Sequence, residues 1–178
     1  MTIDIKELDS TALPSLKPFF EQLAPADLTF VKENVMDAQV LAAWAEGRTA
    51  GQRWVAVESG ELLGLVTLRP QLQASSHVAE VRLVVLPSSR RRGVGTGLAR
   101  HALRAALGEN FRKVTVDVVA RDVATVQMFE RLGFRPEAVL VEHIQDHDGR
   151  FQDLLTLALH AQDVEDGAVG IGLEEELG

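Results

Sequence analysis

The sequence predicts one α/β (α+β) domain, on three observations. Short runs rich in β-branched residues alternate with segments whose apolar residues recur at helical spacing. A chain of 178 residues, 46% of them hydrophobic, can bury one substantial core but not two. The stretch AEVRLVVLPSSRRRGVGTG, residues 79–97, joins a strand through a basic, glycine-rich turn to a helix. Backbone amides hold a pyrophosphate in such an arrangement.

Each element has a local cause. A strand is expected over residues 3–7, then helices over 13–23 and 38–46. Residues 54–68, WVAVESGELLGLVTL, read as two strands joined at Ser59, Gly60 and Glu61. The apolar run over 81–86 stops at Pro87, which cannot continue a ladder. A helix follows over 95–108, with Leu98, Ala102, Ala105 and Ala106 on one side and Arg100 and Arg104 near the other. Val114, Val116 and Val118 alternate with Thr115 and Asp117, as in a half-buried strand over 114–120. Over 122–132, Asp122 is an N-cap and Val126, Phe129 and Leu132 share a face; Gly133 then gives a left-handed stop before Phe134 opens a strand. Residues 139–159 form a last hairpin turning at Asp148 and Gly149. The domain is expected to occupy residues 1–160, with 161–178 an acidic, flexible tail.

Composition narrows the function. Asp163, Glu165, Asp166, Glu174, Glu175 and Glu176 carry most of the formal charge of −8. The rest of the chain is nearly neutral and has no basic stripe beyond the arginine turn, so a nucleic-acid partner is not expected. No run of about 18 apolar residues suggests a membrane span, and MTIDIKELDS lacks the layout of a signal peptide. The chain has no cysteine, hence neither a disulfide nor a thiol nucleophile, which suits a cytoplasmic protein. His143 and His147 are four apart on a strand and its turn, with no further ligand nearby, and no metal site is expected. Trp44, Phe19, Phe20 and Phe30 read as core, with one or two lining a ligand slot. Glu142 and Asp153 are candidates for contact with a cationic ligand.

Spacing separates three ways of holding phosphate. A Walker loop needs a lysine, and none occurs between Lys32 and Lys113. A dinucleotide fingerprint needs a third glycine where Leu98 stands, with only Asp117 placed as a ribose-binding acid would be. The third pattern, Arg followed by xxGxG directly after a strand ending in hydrophobic-Pro, is met by Arg90, Gly93 and Gly95. On these residues the chain resembles the GNAT superfamily of N-acyltransferases. A second segment, ARDVATVQMFERLGF at 120–134, resembles that superfamily's short helix ending in Gly-Phe, at the expected distance from the loop.

The resemblance implies a mixed, mainly antiparallel central sheet flanked by helices and splayed after the cofactor strand, leaving a slot for the pantetheine arm of acetyl-CoA. It implies pyrophosphate contacts at Arg90, Arg91, Arg92, Gly93, Val94, Gly95, Thr96 and Gly97, and contacts along the strand at Leu83, Val84 and Val85. The amides of Val84 and Val85 are the implied donors to the thioester oxygen. It implies Glu80 as the base that deprotonates the acceptor amine; His77, just before the cofactor strand, is a second candidate by position. Asp122 and Phe129 stand where many members carry an asparagine and a tyrosine; Phe129 has no hydroxyl to protonate the leaving thiolate, and the chain has no tyrosine. The expected function is transfer of an acetyl group from acetyl-CoA to a primary amine of a small molecule or a protein, by a monomer or homodimer. The alternatives are a catalytically silent acyl-CoA-binding or sensing module, and a nucleotide-binding Rossmann protein.

Overall fold

In the computed structural model, which describes residues 2–29, 31–146 and 148–165, the chain runs β1 (Asp4–Glu7), α1 (Leu13–Glu21), α2 (Ala38–Ala45), β2 (Gln52–Glu58), β3 (Glu61–Pro70), β4 (Val78–Val85), α3 (Val94–Gly108), β5 (Lys113–Val119), α4 (Val123–Arg131), β6 (Arg135–Gln145), β7 (Phe151–His160) and α5 (Ala161–Glu165). The expected elements form in their expected order. The segment expected to be a tail opens as the short helix α5. Expectations for Phe30, His147 and the acidic residues from 166 onward lie outside the described residues.

The strands form one seven-stranded sheet in the order β1-β2-β3-β4-β5-β7-β6. Every pairing is antiparallel except β4 with β5. That parallel pair is the consequence of α3, because two parallel neighbours need a crossover and here the helix supplies it. The edge strand β6 tolerates Pro136 and two register shifts, at 136/138 and 140/144, as edge positions do.

Period-two alternation divides the core between the two sheet faces. On the α3 and α4 side, Val81, Val114, Val116, Leu98, Phe129 and Phe134 lie in one buried cluster. On the α1 and α2 side, Val55, Leu65 and Val84 pack beneath Phe19, Phe20 and Trp44. Each fully buried leucine or phenylalanine contributes about 1.5–3 kcal/mol.

The ends of α4 show how local chemistry sets the boundary. Asp122 accepts from the Thr125 amide at 3.1 Å and its hydroxyl at 2.7 Å, capping the helix. At the other end Gly133 sits at φ +93° and Phe134 donates to the Phe129 carbonyl at 3.1 Å, so the chain leaves directly into β6.

Candidate active site

The β4–β5 ladder is short. It runs from Val78 opposite Lys113 to Val81 opposite Val116 and stops, although both strands continue. Past Val81 the strands part. The other edge of β4 stays paired with β3 to Val85, and Leu86 donates its amide to the Leu63 carbonyl at 2.9 Å. Amide direction alternates along an antiparallel strand, so Arg82, Val84 and Leu86 direct their N–H groups into β3. Leu83 and Val85 direct theirs into the gap. The Val85 carbonyl obeys the same rule, accepting from Arg90 Nε at 3.4 Å rather than from β3. Val84, expected to donate to the thioester oxygen, therefore has its amide committed to the sheet; Leu83 and Val85 are the strand's available donors.

The N-terminus of α3 closes one end of this gap. Gly93 takes φ +85°, a conformation that admits glycine readily, and caps the helix. Gly97 is the first residue to return its amide, to the Gly93 carbonyl at 2.9 Å. The amides of Val94, Gly95 and Thr96 lie ahead of it, at the positive end of the helix dipole. A Cβ at Gly95 would stand 3.3 Å from Met128 Sδ and 3.6 Å from the side chains of Leu83 and Val85. The helix start thus lies against the free end of β4, with α4 on its other side. Of the three arginines, Arg90 pairs with Asp27 and Arg92 with Glu58 at 2.6 Å. Arg91, at φ +60°, has no ion-pair partner among the described residues.

The opposite face of β4 is charged. Arg82 donates from Nη2 to Glu80 Oε2 at 2.9 Å and from Nε to Oε1 at 3.1 Å, and Lys32 reaches the same Oε1 at 3.2 Å. Burial raises the Glu80 carboxyl, but the hydrogen bonds and charge of Arg82, with Lys32 adding to them, outweigh it and hold the group below the ordinary carboxylate value. Glu33 lies 3.5 Å from Arg82 and 3.7 Å from Arg69. Arg53 is 5% exposed, stacks 4.4 Å above the Trp44 ring and donates to Thr49 Oγ1 at 2.8 Å. Burial pulls its guanidinium below the ordinary value, with Glu33 opposing. Glu33 and Arg82 line a cavity of about 10 Å³ together with Phe20, Trp44, Thr67 and others. That is room for about one water.

Other candidates fall elsewhere. Phe129 is 1% exposed, its ring edge to face with Phe134 at 5.2 Å, so it is packed in the core rather than presented to the gap. Both carboxylate oxygens of Asp122 serve the α4 cap. His77 lies just before β4, its carbonyl accepting from Arg112 and Lys113. Asp117 accepts from Thr156 at 2.8 Å, and Asp153 accepts the Glu142 amide at 2.8 Å. Among the described residues no group of three or more His, Asp or Glu could hold a metal, and no helix is long and apolar enough to cross a membrane. Sequence reasoning missed Arg82, Lys32, Glu33, Arg53, Arg69 and Met128. Only Arg82 carried a local signal, a charge two residues from Glu80 within an apolar strand, which puts both on one face.

The fit to an acyl-CoA can be tested on these features. Free strand amides at Leu83 and Val85 suit an extended amide-bearing arm, and the cradle at Gly95, which a side chain would fill, suits a pyrophosphate at a helix start. The slot between the parted strands and the start of α3 thus fits an acyl-CoA. Comparison with known proteins agrees: the model of the acetyltransferase (GNAT) family matches residues 16–134, and the chain belongs to that family. The N-acetylaspartate synthetase of Xenopus tropicalis is 29% identical over 92 residues, 51% of this chain and 33% of that protein. Its Homo sapiens counterpart is 33% identical over 82 residues, 46% and 27% of the two. The chain thus spans about a third or less of the length of these curated relatives. Among solved structures, ribosomal-protein-alanine N-acetyltransferase from Brucella melitensis shares the fold with a TM-score of 0.77 at 21% identity, over 88% of this chain and 99% of that one. The protein yncA from Salmonella typhimurium, solved with its cofactor acetyl-CoA, does so with a TM-score of 0.78 at 18% identity, over 90% and 95%.

Proposed function

We propose that this protein transfers the acetyl group of acetyl-CoA to the nitrogen of a primary amine. The observation that carries the reading is the parting of β4 and β5 after Val81, which leaves the Leu83 and Val85 amides outside any ladder and the start of α3 beside them. Acetyl-CoA, when bound, supplies an activated thioester. The start of α3, from Gly93 to Thr96, holds the pyrophosphate on backbone amides, with Arg91 adding charge. The Leu83 and Val85 amides orient the pantetheine arm and the thioester carbonyl, and donate to the oxygen on which negative charge grows. The name of the curated relatives, an N-acetylated amino acid, supports nitrogen as the acceptor atom.

The acceptor approaches from the charged face. Glu80 is held anionic by Arg82 and Lys32 and draws the amine to the gap. Glu80 accepts the amine proton through water as the nitrogen bonds to the carbonyl carbon and that proton becomes acidic, and passes it on to solvent. No side-chain acid stands at Phe129, and the departing thiolate, with a parent pKa near ~8.5, leaves without one.

Free thiol release is the test, followed with acetyl-CoA and a panel of amines. Amine-dependent release supports the reading. Tight acetyl-CoA binding with no release for any amine would favour the silent sensing module instead.

A further inference from the structure

The charged face around Glu80 holds more cations than carboxylates. In strand register Arg53, Thr67 and Arg82 form one row across β2, β3 and β4, and Arg69 lies beside Glu80 in the next. Lys32 arrives from the segment between α1 and α2. Four cations thus meet two carboxylates, Glu33 and Glu80. Glu80 is held by Arg82 and Lys32, two donors on Oε1 and one on Oε2, which leaves Oε2 able to accept another. Asp117, the next acid along β5, is engaged by Thr156.

Glu33 is held differently. Its contacts to Arg82 at 3.5 Å and Arg69 at 3.7 Å are long for charge-assisted hydrogen bonds, which run about 2.7–2.9 Å. It comes from a stretch outside helix and strand, and its side chain is partly exposed. Trp44 lines the same one-water cavity as Glu33 and Arg82, and its buried Nε1 makes no hydrogen bond; nor does the buried Nε of Arg53, whose guanidinium stacks on the Trp44 ring. An unpaired buried donor is costly, and such donors close to a small cavity and excess positive charge mark a place for an anion.

We propose that the acyl acceptor is a carboxylate-bearing primary amine, its carboxylate held by Arg82 and Arg69 where Glu33 now lies. The inference rests on the acyl-transfer reading above. Glu33 is the chain's own stand-in, and it swings to solvent when the acceptor enters. The same face then carries opposite charges for the two ends of the acceptor, the arginines for its carboxylate and Glu80 for its ammonium. Polyamines and other purely cationic amines add charge to a set already in excess and are excluded. The carboxylate has two possible sources, a free amino acid or the acidic side chain of a peptide N-terminal residue.

The test compares kcat/KM for free L-aspartate, L-glutamate and L-alanine, for peptides beginning with an acidic residue, and for propylamine, tyramine and spermidine. Wild-type protein is expected to prefer carboxylate-bearing amines by about tenfold or more, with the free amino acid and peptide arms identifying the source. In Arg69→Gln, a substitution at a half-exposed position, the ratio of carboxylate-bearing to carboxylate-free kcat/KM should fall by about tenfold, through KM rather than kcat. Equal or better transfer to carboxylate-free amines would overturn the inference and leave the acyl-transfer reading standing, as would a ratio unchanged in Arg69→Gln. No transfer to any amine would overturn both.

Discussion

Replacing Arg82 by methionine isolates the ion pair at the centre of the site. Arg82 is 9% exposed and makes two hydrogen bonds to Glu80, at 2.9 and 3.1 Å, while the Glu80 side chain is itself 12% exposed. Removing one member of a buried pair costs about 3–5 kcal/mol, because the other charge is left without its partner. Lys32 remains at 3.2 Å, so the loss should fall at the lower end, about 3 kcal/mol. For a chain of this size each kcal/mol moves Tm by about 2–4 °C, which gives a drop of about 6–12 °C near neutral pH. The pH dependence is more diagnostic than the size. In the wild type the folded-state pKa of Glu80 lies below its ordinary value, so its contribution is fully present above that value and is lost as pH falls through the folded pKa. In the variant burial acts with only Lys32 opposing it, so the carboxyl rises and protonates sooner, and protonation relieves the unpaired charge. Thermal melts of both proteins between neutral pH and about pH 4 should therefore show the gap narrowing as pH falls. A gap that stays constant or widens toward acid would refute the assignment of Glu80 and Arg82 as a buried charged pair.

Two further outcomes follow from the same geometry. Glu80→Gln keeps the shape but cannot take a proton, so turnover should fall by about 10²-fold while acetyl-CoA affinity, read by calorimetry, is little changed; unchanged turnover would move attention to His77. Phe129→Tyr places a hydroxyl in the core against Phe134. It should cost about 1–3 kcal/mol in a denaturant melt, and a fully stable variant would show that this ring has access to the gap.

The order of elements was legible because punctuation and periodicity coincide in this chain. Pro87 ends the run into β4, Gly133 stops α4, Asp122 starts it, and the alternating valines of β5 face one core. The basic, glycine-rich turn into α3 was legible for the same reason, since its arginines and glycines all fall within residues 90–97. Amide direction was not. Whether Val84 or Leu83 offers its N–H to the gap depends on the register with β3, which pairing alone sets. The charged face was also hidden, because Lys32 lies 48 residues from Glu80 and Arg53 arrives on another strand. Phe129 carries no hydroxyl where the resemblance implies a tyrosine, and its apolar ring packs on Phe134.

Calorimetry of acetyl-CoA against the wild type and Gly95→Asp tests the central claim most directly, that acetyl-CoA lies in the parted strands with its pyrophosphate on the start of α3. A carboxylate in the first turn of a helix favours the helix itself, so the variant should fold. Its side chain would nevertheless enter the 3.3–3.6 Å space between Met128, Leu83 and Val85 and repel phosphate. Saturable binding by the wild type, weakened by about 100-fold or more in the folded variant, is the predicted result. Wild-type protein that does not bind acetyl-CoA, or a folded Gly95→Asp variant that binds it equally well, would contradict the account.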